Sequence, residues 1–401
     1  MNAGVVIVGG GQAGLEAAAA LRTQGYAEPV TLICAEAYPP YQRPPLSKGF
    51  LAGKQDVASL PLRAAAYYEK QRVDVILGET VTAIEGAAKQ VALAGGGRLP
   101  YTHLILAVGA RNRPLPVPGG ERALYLRTLD EAVALRQRLA EARSVAVIGG
   151  GFIGLEVAAA ARGFGKPVTV IEGAPRLMAR AVSPVLSDFF LEVHRAKGCE
   201  VTLNAAVTGL QPEAVLLSNG SSVAADLVVA GIGVVPNVEL ARAAGLEVGN
   251  GIVVDEFLRT ADPAIFAIGD CAEHPNAFAN ALEGGRTRLE SVQNAVDQAK
   301  CVAGIIAGAA APYRDVPWFW TDQYAIRFQM VGLSAGHEEV VVRGSLVDQK
   351  FSAFYFKQGR LLAVDSVNRF GDHVAARKLL TARAAISPAQ AADESVDLKK
   401  L

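Results

Sequence analysis

The stretch VVIVGGGQAGLEAAAALR, Val5–Arg22, decides the fold. It opens with four β-branched residues of the kind that are buried on both faces of a parallel sheet. Gly9, Gly11 and Gly14 then follow the pattern G-x-G-x-x-G. In this pattern the first glycine permits a tight turn, the second lets the backbone approach a pyrophosphate, and the third lets a helix pack on the strand. Leu15–Leu21 is predicted to be that helix, with its amino-terminal N–H groups facing the anion.

A second copy of the pattern lies in Val145–Arg162, VAVIGGGFIGLEVAAAAR, where Glu156 matches Glu16 of the first copy. A single glycine-rich turn can serve packing alone. Internal similarity of this length instead predicts a duplicated dinucleotide-binding unit, and therefore two bound dinucleotides. The glycines at the three motif positions of the second copy are Gly149, Gly151 and Gly154.

The composition limits the class of protein. A chain of 401 residues, 51% of them hydrophobic, is long enough for about two or three domains. Basic and acidic residues both number 39, so the net charge is zero, which argues against a dedicated nucleic-acid binder. The first strand follows Met1 without a signal peptide, and the apolar run Cys301–Ala311 is shorter than the roughly 20 residues that span a bilayer. We therefore expect a soluble, cytoplasmic protein with no membrane partner.

The cysteines show neither a metal-binding nor a redox pattern. They are Cys34, Cys199, Cys271 and Cys301, and no two of them form C-x-x-C. We expect all four to be buried, reduced thiols, and we expect no metal site.

An acid follows the second predicted strand, Val30–Ile33. Glu36 lies 22 residues beyond Gly14, the distance at which a carboxylate holds the ribose hydroxyls of a dinucleotide. A solvated loop acid is the competing interpretation.

A proline-rich loop, Pro39–Leu51, comes next. Its prolines make it stiff, and Ser47 is predicted to cap a new helix with Lys48 in the first turn. Arg43 and Lys48 are the cations of this loop that can reach the first nucleotide site, although lysines in such places are usually only solvated.

Strands and one helix are predicted between this loop and the second glycine turn. The proline-rich segment Arg111–Gly119 is the expected domain boundary. The predicted elements are a β region in Tyr67–Leu77, a meander of strands between Val81 and Tyr101, a buried strand at His103–Val108 and a helix at Asp130–Arg143.

The second unit carries its own acid. Val168–Ile171 is a predicted strand that ends at Glu172, 18 residues beyond Gly154. This carboxylate would accept a hydrogen bond from the ribose 2′-OH and repel a 2′-phosphate, which favours NADH over NADPH. Two arginines that could serve a phosphate, Arg176 and Arg180, weaken this preference. The closing strand is expected at Leu227–Ala230, followed by Gly231 and Gly233.

Two predicted strands, Ile252–Val254 and Ala264–Ile268, should rejoin the first sheet. Asp270 follows the second of them and could accept hydrogen bonds from the ribityl hydroxyls of a flavin, although an ordinary Gly-Asp turn explains it equally. Ser291 is predicted to begin an amphipathic helix whose amino end could face the flavin ring.

From Pro317 the composition changes to that of a small α+β domain. Trp318 and Trp320 lie on one face of a predicted strand, where core packing and cofactor contact are both open. Phe351–Val367 is predicted to be a hairpin. The tail from Ser387 is polar and is expected to be loosely held.

Nine motifs can be compared as a set: GGGQAGLEAA, YQRPPLSKGFL, ILAVGAR, YLRTLDEA, GGGFIGLEVAA, AGIGVVPN, FAIGDCA, LESVQNAVDQA and PWFWTDQY. In order and spacing they resemble the NADH-dependent ferredoxin reductases over nearly the whole chain. The resemblance implies an α/β fold with two Rossmann-like dinucleotide-binding domains, the two-dinucleotide scaffold of glutathione reductase, plus a small α+β carboxyl-terminal domain. The implied domains are an FAD-binding domain at 1–110 and 243–316, an NADH-binding domain at 111–242 and the carboxyl-terminal domain at 317–401.

The resemblance also implies cofactor contacts. For non-covalent FAD they are Gly9, Gly11, Ala13, Gly14, Ala35, Glu36, Arg43, Lys48, Val81, Arg127, Asp270, Val292 and Trp320. For NADH they are Gly149, Gly151, Ile153, Gly154, Glu156, Glu172, Arg180 and Gly233. The expected catalytic residues are Lys48, Glu156 and Trp320. Members commonly carry an acid at the place of Ala35, so this contact must be made by the backbone or pass to Glu36.

The implied activity is transfer of electrons from NADH through FAD to a [2Fe–2S] ferredoxin that serves an oxygenase system. A thiol-type substrate would need a cysteine on the helix of Ser47 and Lys48, where none is present. Reduction of a small organic acceptor and an NADH-sensing flavoprotein that acts by binding remain alternatives. Because a ferredoxin is usually acidic, the candidate docking residues are Arg286, Arg288 and Arg327.

Overall fold

The computed structural model describes residues 3–279 and 285–401. These divide into two compact units. Unit 1 contains the described residues up to Gln42, Pro61–Arg111 and those within Pro236–Phe319, and unit 2 contains Arg43–Leu60, Asn112–Val235 and Trp320–Leu401. The boundaries of the three domains given above stay a prediction.

The elements within the described residues are named in chain order. The helices are α1 (Gln12–Thr23), α2 (Ala65–Lys70), α3 (Leu129–Glu141), α4 (Phe152–Gly163), α5 (Pro184–Ala196), α6 (Glu239–Ala243), α7 (Val292–Ile306), α8 (Phe370–Ala382) and α9 (Pro388–Ala392). The strands are β1 (Gly4–Val8), β2 (Val30–Cys34), β3 (Val73–Leu77), β4 (Val81–Glu85), β5 (Gln90–Leu93), β6 (Arg98–Leu106), β7 (Ala110–Asn112), β8 (Val145–Ile148), β9 (Val168–Ile171), β10 (Cys199–Thr202), β11 (Val207–Gln211), β12 (Ala214–Leu217), β13 (Ser222–Ala224), β14 (Leu227–Ala230), β15 (Val234–Pro236), β16 (Ile252–Val253), β17 (Ile265–Ala267), β18 (Ala272–Pro275), β19 (Arg286–Thr287), β20 (Trp318–Gln323), β21 (Ile326–Gly332), β22 (Glu339–Ser345), β23 (Lys350–Lys357) and β24 (Arg360–Val367).

Unit 1 is organised by a sheet with the strand order β3-β2-β1-β6-β5-β4, to which β17 is added beside β6. The strands β3, β2, β1, β6 and β17 are parallel, and β4 and β5 extend the sheet in antiparallel pairs. All five residues of β1 are buried, as their β-branched run predicts. The alanine-rich helix α1 packs on α7. Helix α7 begins directly after Ser291, as predicted, and the Ser291 side chain caps it by accepting the Asn294 N–H at 3.1 Å.

Two local predictions for unit 1 are wrong. Ile252–Val254 does not rejoin the first sheet: β16 pairs with β18 in a separate sheet instead, and the Val254 N–H donates to the carbonyl of Glu273. Tyr67–Leu77 does not form one β region, because α2 continues to Lys70 before β3 begins.

Unit 2 repeats the parallel core and adds an antiparallel sheet. The strand order β10-β9-β8-β14 is parallel throughout. The second sheet has the order β20-β21-β24-β23-β22, and the predicted hairpin is β23 and β24. Helix α5 packs on it through the ring pairs Phe189–Phe351 and Phe190–Phe328, with ring centroids 5.0 and 5.3 Å apart.

The predicted helix cap at Ser47 is wrong. Pro44–Ser47 forms a 3₁₀ turn with proline in its first positions, and the turn closes when the Lys48 N–H donates to the carbonyl of Pro45 at 3.0 Å. Lys48 then leaves the helical region, with φ −119° and ψ −108°. Because proline lacks an N–H group, it suits the first turn of a helix rather than a position before the cap.

The tail is docked, contrary to the prediction. Ser387 caps the short helix α9, and both Ala391 and Leu398 are buried. The buried guanidinium of Arg343 donates to the carbonyl of Val396 at 2.8 Å and to that of Asp393. One arginine from β22 thus donates hydrogen bonds to backbone carbonyl groups of the tail and holds the tail in place. In the described part of the chain, every helix is too short or too polar to cross a bilayer.

A carboxyl group lies inside the antiparallel sheet of unit 2. Asp365 on β24 is 1% exposed, and the hydroxyl of Tyr355 donates to its Oδ2 at 2.6 Å. Burial raises the pKa of Asp365 to about 7, since a buried carboxyl favours its neutral form. A raised pKa in the folded state stabilises the protein most below the ordinary pKa of aspartate, and the contribution is lost as the pH rises through about 7.

We therefore predict that wild-type protein loses stability relative to an Asp365→Asn variant as the pH rises from 4 to 8. The difference should be on the order of a few kcal/mol. Urea unfolding of both proteins at several pH values measures it, and parallel stability curves for the two proteins would contradict the prediction.

Candidate functional site

The first glycine turn connects β1 to α1 in unit 1. Gly9 has a φ of +120°, and a Cβ there would meet the carbonyl oxygen of Ala107 at 2.2 Å. A Cβ on Gly14 would meet the carbonyl oxygen of Gly9 at 2.0 Å. Packing therefore explains these two glycines. It does not explain Gly11, because a Cβ there would meet no described atom within 4 Å.

The second glycine turn, in unit 2, has the same construction. A Cβ on Gly149 or on Gly154 would meet a carbonyl oxygen at 2.4 or 2.1 Å, whereas one on Gly151 would project into open space. No side chain among the described residues caps α1 or α4, whose N-caps are Gly11 and Gly151. Open space beside uncapped N–H groups is the cradle that a pyrophosphate needs. Each unit therefore fits one dinucleotide.

Several predicted flavin contacts come together in unit 1. The Gly269-Asp270 turn lies against Ala13, since a Cβ on Gly269 would be 3.0 Å from the Ala13 Cβ. The turn is fixed by Gln298 of α7, whose Oε1 accepts the Gly269 N–H at 2.7 Å. Val292 begins that same helix.

The acid of unit 1 lies just past β2. Ala35 is exposed and Glu36 half-buried, and the hydroxyl of Tyr41 donates to the Glu36 Oε2 at 2.5 Å. The Gly78 N–H donates to the Glu36 carbonyl at 3.1 Å, which places this acid near the start of β4 at Val81.

The remaining predicted flavin contacts, Arg43, Lys48, Arg127 and Trp320, belong to unit 2. Arg43 donates to the carbonyl of Arg127 at 2.6 Å. Trp320 lies on β20 directly before Thr321, and Thr321 reaches the carboxylate to which Lys48 is also bound.

That carboxylate belongs to Glu156 on α4, whose side chain is 1% exposed. Lys48 Nζ lies 2.8 Å from Glu156 Oε1. The hydroxyl of Thr321 donates to the same oxygen, and the hydroxyl of Ser47 donates to Oε2. An ammonium group and two hydroxyls thus satisfy a charge that is excluded from water.

Sequence reasoning found Lys48 and Glu156 but missed two of the donors. The sequence predicts a helix cap at Ser47 and indicates no role for Thr321 beyond its place in the motif PWFWTDQY. The sequence signals that could point to them are that Ser47 precedes Lys48 and that Thr321 follows Trp320. Adjacency does not reveal a contact with a residue 165 positions away, as for Thr321 and Glu156.

Glu172 is placed as predicted, after β9 and beside the second glycine turn. Its Oε2 accepts the Gly150 N–H at 2.6 Å, and its Oε1 accepts the Ala174 N–H at 2.7 Å. Arg176 is directed elsewhere, because its guanidinium donates to the carbonyls of Val182 and Ala179, at 2.6 Å in each case.

Three further predicted NADH contacts, Ile153, Arg180 and Gly233, also belong to unit 2. Ile153 is 44% exposed in the first turn of α4, unusual for a large aliphatic residue. Arg180 Nη2 lies 3.6 Å from the place of a Cβ on Gly233. Arg180 therefore remains a cation near the cofactor contacts.

The cysteines are unsuited to thiol chemistry. Burial raises the pKa of the Cys34 thiol to about 12 and those of Cys271 and Cys301 to about 11, and it also raises the pKa of Cys199. A reactive cysteine needs a lowered pKa. Cys301 is partly exposed, so the prediction of full burial holds for the other three.

Two of the candidate docking arginines are engaged within unit 1. Arg286 donates to the carbonyls of Val254 and Glu273 at 2.7 and 2.8 Å. Arg288, with a side chain 8% exposed, donates to the Asp270 carbonyl at 2.9 Å and pairs with Glu290. Arg327 is exposed on β21. Arg286 and Arg288 therefore hold local structure, whereas Arg327 is placed where a partner could reach it.

Two cradles of the same design define a protein of the class that binds two dinucleotides. Residues 3–299 match the family model for pyridine nucleotide-disulphide oxidoreductases, and residues 318–401 match the reductase carboxyl-terminal model. The chain belongs to the pyridine nucleotide-disulphide oxidoreductase family. The predicted resemblance and fold class are confirmed.

Relatives match over nearly their full length. The chain is 49% identical to rhodocoxin reductase of Rhodococcus erythropolis, covering 98% of this chain and 93% of the relative. It is 43% identical to putidaredoxin reductase of Pseudomonas putida, covering 100% and 97%. A crystal structure of the ferredoxin reductase for the CYP199A2 system from Rhodopseudomonas palustris has a TM-score of 0.96 at 46% identity, covering 100% of this chain and 99% of that chain.

The open space beside the middle glycine predicts a pair of opposite outcomes. Gly151→Ala should weaken NAD⁺ binding at least about tenfold, because the new Cβ enters the space left for the pyrophosphate, while stability changes by no more than about 1 kcal/mol. Gly154→Ala should instead destabilise the protein by about 1–3 kcal/mol or more, because its Cβ meets a carbonyl oxygen at 2.1 Å.

Calorimetric titration with NAD⁺ and thermal denaturation separate the two effects, with Gly154→Ala as the matched partner of Gly151→Ala. Wild-type NAD⁺ affinity in Gly151→Ala would show that the middle glycine does not face the nucleotide.

Proposed function

We propose that this protein is an FAD-dependent NADH:ferredoxin reductase, of EC 1.18.1 type, which passes electrons from NADH through FAD to a [2Fe–2S] ferredoxin that serves an oxygenase system. The observation that carries the proposal is the open middle glycine in both turns, combined with thiols whose pKa values are all raised by burial. The scaffold fits two dinucleotides and offers no reactive cysteine among the described residues.

The names of the relatives support the same acceptor class. Rhodocoxin reductase and putidaredoxin reductase are joined by the 5,5′-dehydrodivanillate O-demethylase ferredoxin reductase subunit of Sphingobium at 42% identity. A putidaredoxin reductase has been crystallised as a covalent complex with putidaredoxin, and its chain has a TM-score of 0.95 to this one. Relatives named rubredoxin-NAD⁺ reductase are 40% identical over 91% of the chain, so rubredoxin is the acceptor to test against ferredoxin.

In this proposal the glycine turn of unit 1 holds FAD and that of unit 2 holds NADH. When bound, NADH supplies a hydride and FAD converts the electron pair into single electrons for the ferredoxin. The residues proposed for FAD are the glycine-turn residues Gly9, Gly11, Ala13 and Gly14 with Ala35, Glu36, Arg43, Lys48, Val81, Arg127, Asp270, Val292 and Trp320. Those proposed for NADH are Gly149, Gly151, Ile153, Gly154, Glu156, Glu172, Arg180 and Gly233.

Lys48 and Glu156 act as a fixed pair. A carboxylate has about four lone-pair directions, and Lys48, Ser47 and Thr321 take three of those of Glu156. The remaining direction suits an N–H of the nicotinamide carboxamide, so Glu156 would orient this group. Lys48 supplies a positive charge whose position is set by the ion pair, and Trp320 belongs to the same strand as Thr321.

Glu172 favours NADH. A fixed carboxylate can accept a hydrogen bond from the ribose 2′-OH and repels a 2′-phosphate. Of the two arginines that could offset this repulsion, Arg176 is held by backbone carbonyls, whereas Arg180 remains as a cation beside Gly233.

The three domains, at 1–110 with 243–316, 111–242 and 317–401, are part of the proposal. So is a cytoplasmic location, since four unpaired cysteines fit a reducing compartment.

The proposed activity is tested by measuring whether rapid turnover depends on an added ferredoxin. We predict that NADH bleaches the flavin of the holoenzyme without oxygen, and that cytochrome c is reduced rapidly only after a [2Fe–2S] ferredoxin is added. Slow bleaching with a long-lived charge-transfer complex would favour the sensor instead, and equal rates without ferredoxin would favour a small acceptor. Rubredoxin in place of ferredoxin is the matched comparison.

Loss of the Lys48 charge should slow reduction of the flavin. We predict that Lys48→Met lowers the rate of FAD reduction by NADH by about 100-fold to 1,000-fold, the range for removal of one preorganised hydrogen-bond donor. Lys54→Met is the control, because Lys54 is exposed in the same segment. Stopped-flow absorbance measures both variants, and a wild-type rate in Lys48→Met would remove Lys48 from the mechanism.

A further inference from the structure

A buried chain of hydrogen bonds leads away from Glu156 within unit 2. Gln323 Nε2 lies 3.4 Å from the hydroxyl oxygen of Thr321, and its Oε1 lies 2.9 Å from Nε2 of His194. The hydroxyl of Tyr324 lies 3.1 Å from Nδ1 of the same ring. Thr321, Gln323 and His194 are all 0% exposed. The chain therefore connects the end of α5 to the proposed nicotinamide site through the side chains of β20.

In this chain of hydrogen bonds, every donor points toward Glu156. Because the Thr321 hydroxyl donates to Glu156, its oxygen accepts from the amide NH₂ of Gln323. The Gln323 carbonyl oxygen then faces His194 and accepts its Nε2–H. Nδ1 of the neutral ring is left as an acceptor for the Tyr324 hydroxyl.

Burial supports the neutral ring. The pKa of His194 is lowered by burial, against the opposing effect of the Gln323 hydrogen bond. A neutral imidazole has one donor and one acceptor, which is what Gln323 Oε1 and the Tyr324 hydroxyl require. A charged ring would present two donors, so its Nδ1 could not accept from the Tyr324 hydroxyl, which would then have only Cys199 Sγ, 3.4 Å away, as an acceptor.

The backbone at Tyr324 is shaped for this arrangement. Its φ is +57°, in the left-handed region that a tyrosine rarely adopts. Tyr324 begins the two-residue loop between β20 and β21, where the turn itself favours a positive φ. From this turn the adjacent residues Gln323 and Tyr324 reach the two nitrogens of one ring.

We infer that Gln323 and His194 are positioning residues for hydride transfer: they fix the Thr321 hydroxyl as a donor to Glu156, and so fix the carboxylate that orients the nicotinamide. The inference rests on the proposed role of Glu156. Aligned hydrogen bonds strengthen one another in a low-dielectric interior. Misplacement of a catalytic group by about 1 Å, even from a remote change, can slow a reaction about 100-fold.

The test removes one hydrogen-bond donor of this chain at a time. Gln323→Glu keeps the shape but cannot donate to Thr321, whose hydroxyl is then free to turn away from Glu156. Thr321→Val removes the hydroxyl, and Thr321→Ser restores it. Tyr355→Phe is the matched control, because it removes another buried hydroxyl of the same unit, which contacts Asp365 and Ser183 rather than Glu156.

We expect Gln323→Glu and Thr321→Val to slow FAD reduction by NADH at least about 10-fold, with the NAD⁺ dissociation constant changed less than about 3-fold, because most of the nucleotide is held elsewhere. Thr321→Ser should restore most of the rate lost in Thr321→Val, and Tyr355→Phe should reduce FAD at the wild-type rate. A wild-type rate in either Gln323→Glu or Thr321→Val would overturn the inference. Equal slowing in Tyr355→Phe would also overturn it, since the effect would then be general to the packing of unit 2.

A second measurement is made on the wild-type protein and needs no turnover. The chain has five histidines, so ¹⁵N-histidine NMR of the wild-type holoenzyme can resolve His194, whose signal is lost in His194→Gln. We expect the neutral tautomer protonated at Nε2 at pH 7; an Nδ1–H tautomer or an imidazolium would overturn the inference. Failure of NADH to reduce the wild-type flavin would refute the proposed function, whereas reduction with equally fast variants refutes only this inference.

Discussion

The buried carboxylate of Glu156 is the constraint on which unit 2 depends. An ionised group that is 1% exposed must be paired and hydrogen-bonded. Its donors come from two segments far apart in sequence, the proline-rich loop with Ser47 and Lys48 and the strand β20 with Thr321. This charge, together with the ring pairs between α5 and the antiparallel sheet, joins Arg43–Leu60 and Trp320–Leu401 to the same compact unit as the second glycine turn.

The glutamates at matching positions of the internal repeat have different surroundings. Glu16 occupies the place of Glu156 in the first copy, yet its side chain is 17% exposed and lies 3.3 Å from Arg63, also partly exposed. An ion pair of that kind contributes little to stability. The two copies share the strand, the turn and the helix because each must cradle a pyrophosphate. They differ at this glutamate because only the second copy surrounds it with buried donors.

The sequence predicted those features that depend on neighbours along the chain. The glycine turns, β1, β9, the hairpin of β23 and β24, and the Ser291 cap follow from local patterns of glycine, β-branched residues and capping side chains. The wrong predictions concern features that depend on other parts of the fold or on a different local turn. Ser47 ends a 3₁₀ turn because two prolines precede it, β16 pairs outside the first sheet, and the polar tail is held by Arg343 from a distant strand. Such contacts carry no local signal, and so Thr321, Gln323 and His194 could not be found from spacing.

The fold of this chain is also found in structures with other names, so the fold alone does not decide its chemistry. Structures of an NAD-dependent persulfide reductase and of a protein titled CoADR-RHD share the fold at 24% and 23% identity, which shows the fold alone. Function on a shared fold is decided at the site. Here Ser47 donates its hydroxyl to a carboxylate, Lys48 pairs with that same carboxylate, and burial raises the pKa values of the four thiols. The proline-rich loop contains no cysteine, so it supplies no sulfur nucleophile, and the chemistry of this site depends on what the two glycine turns bind.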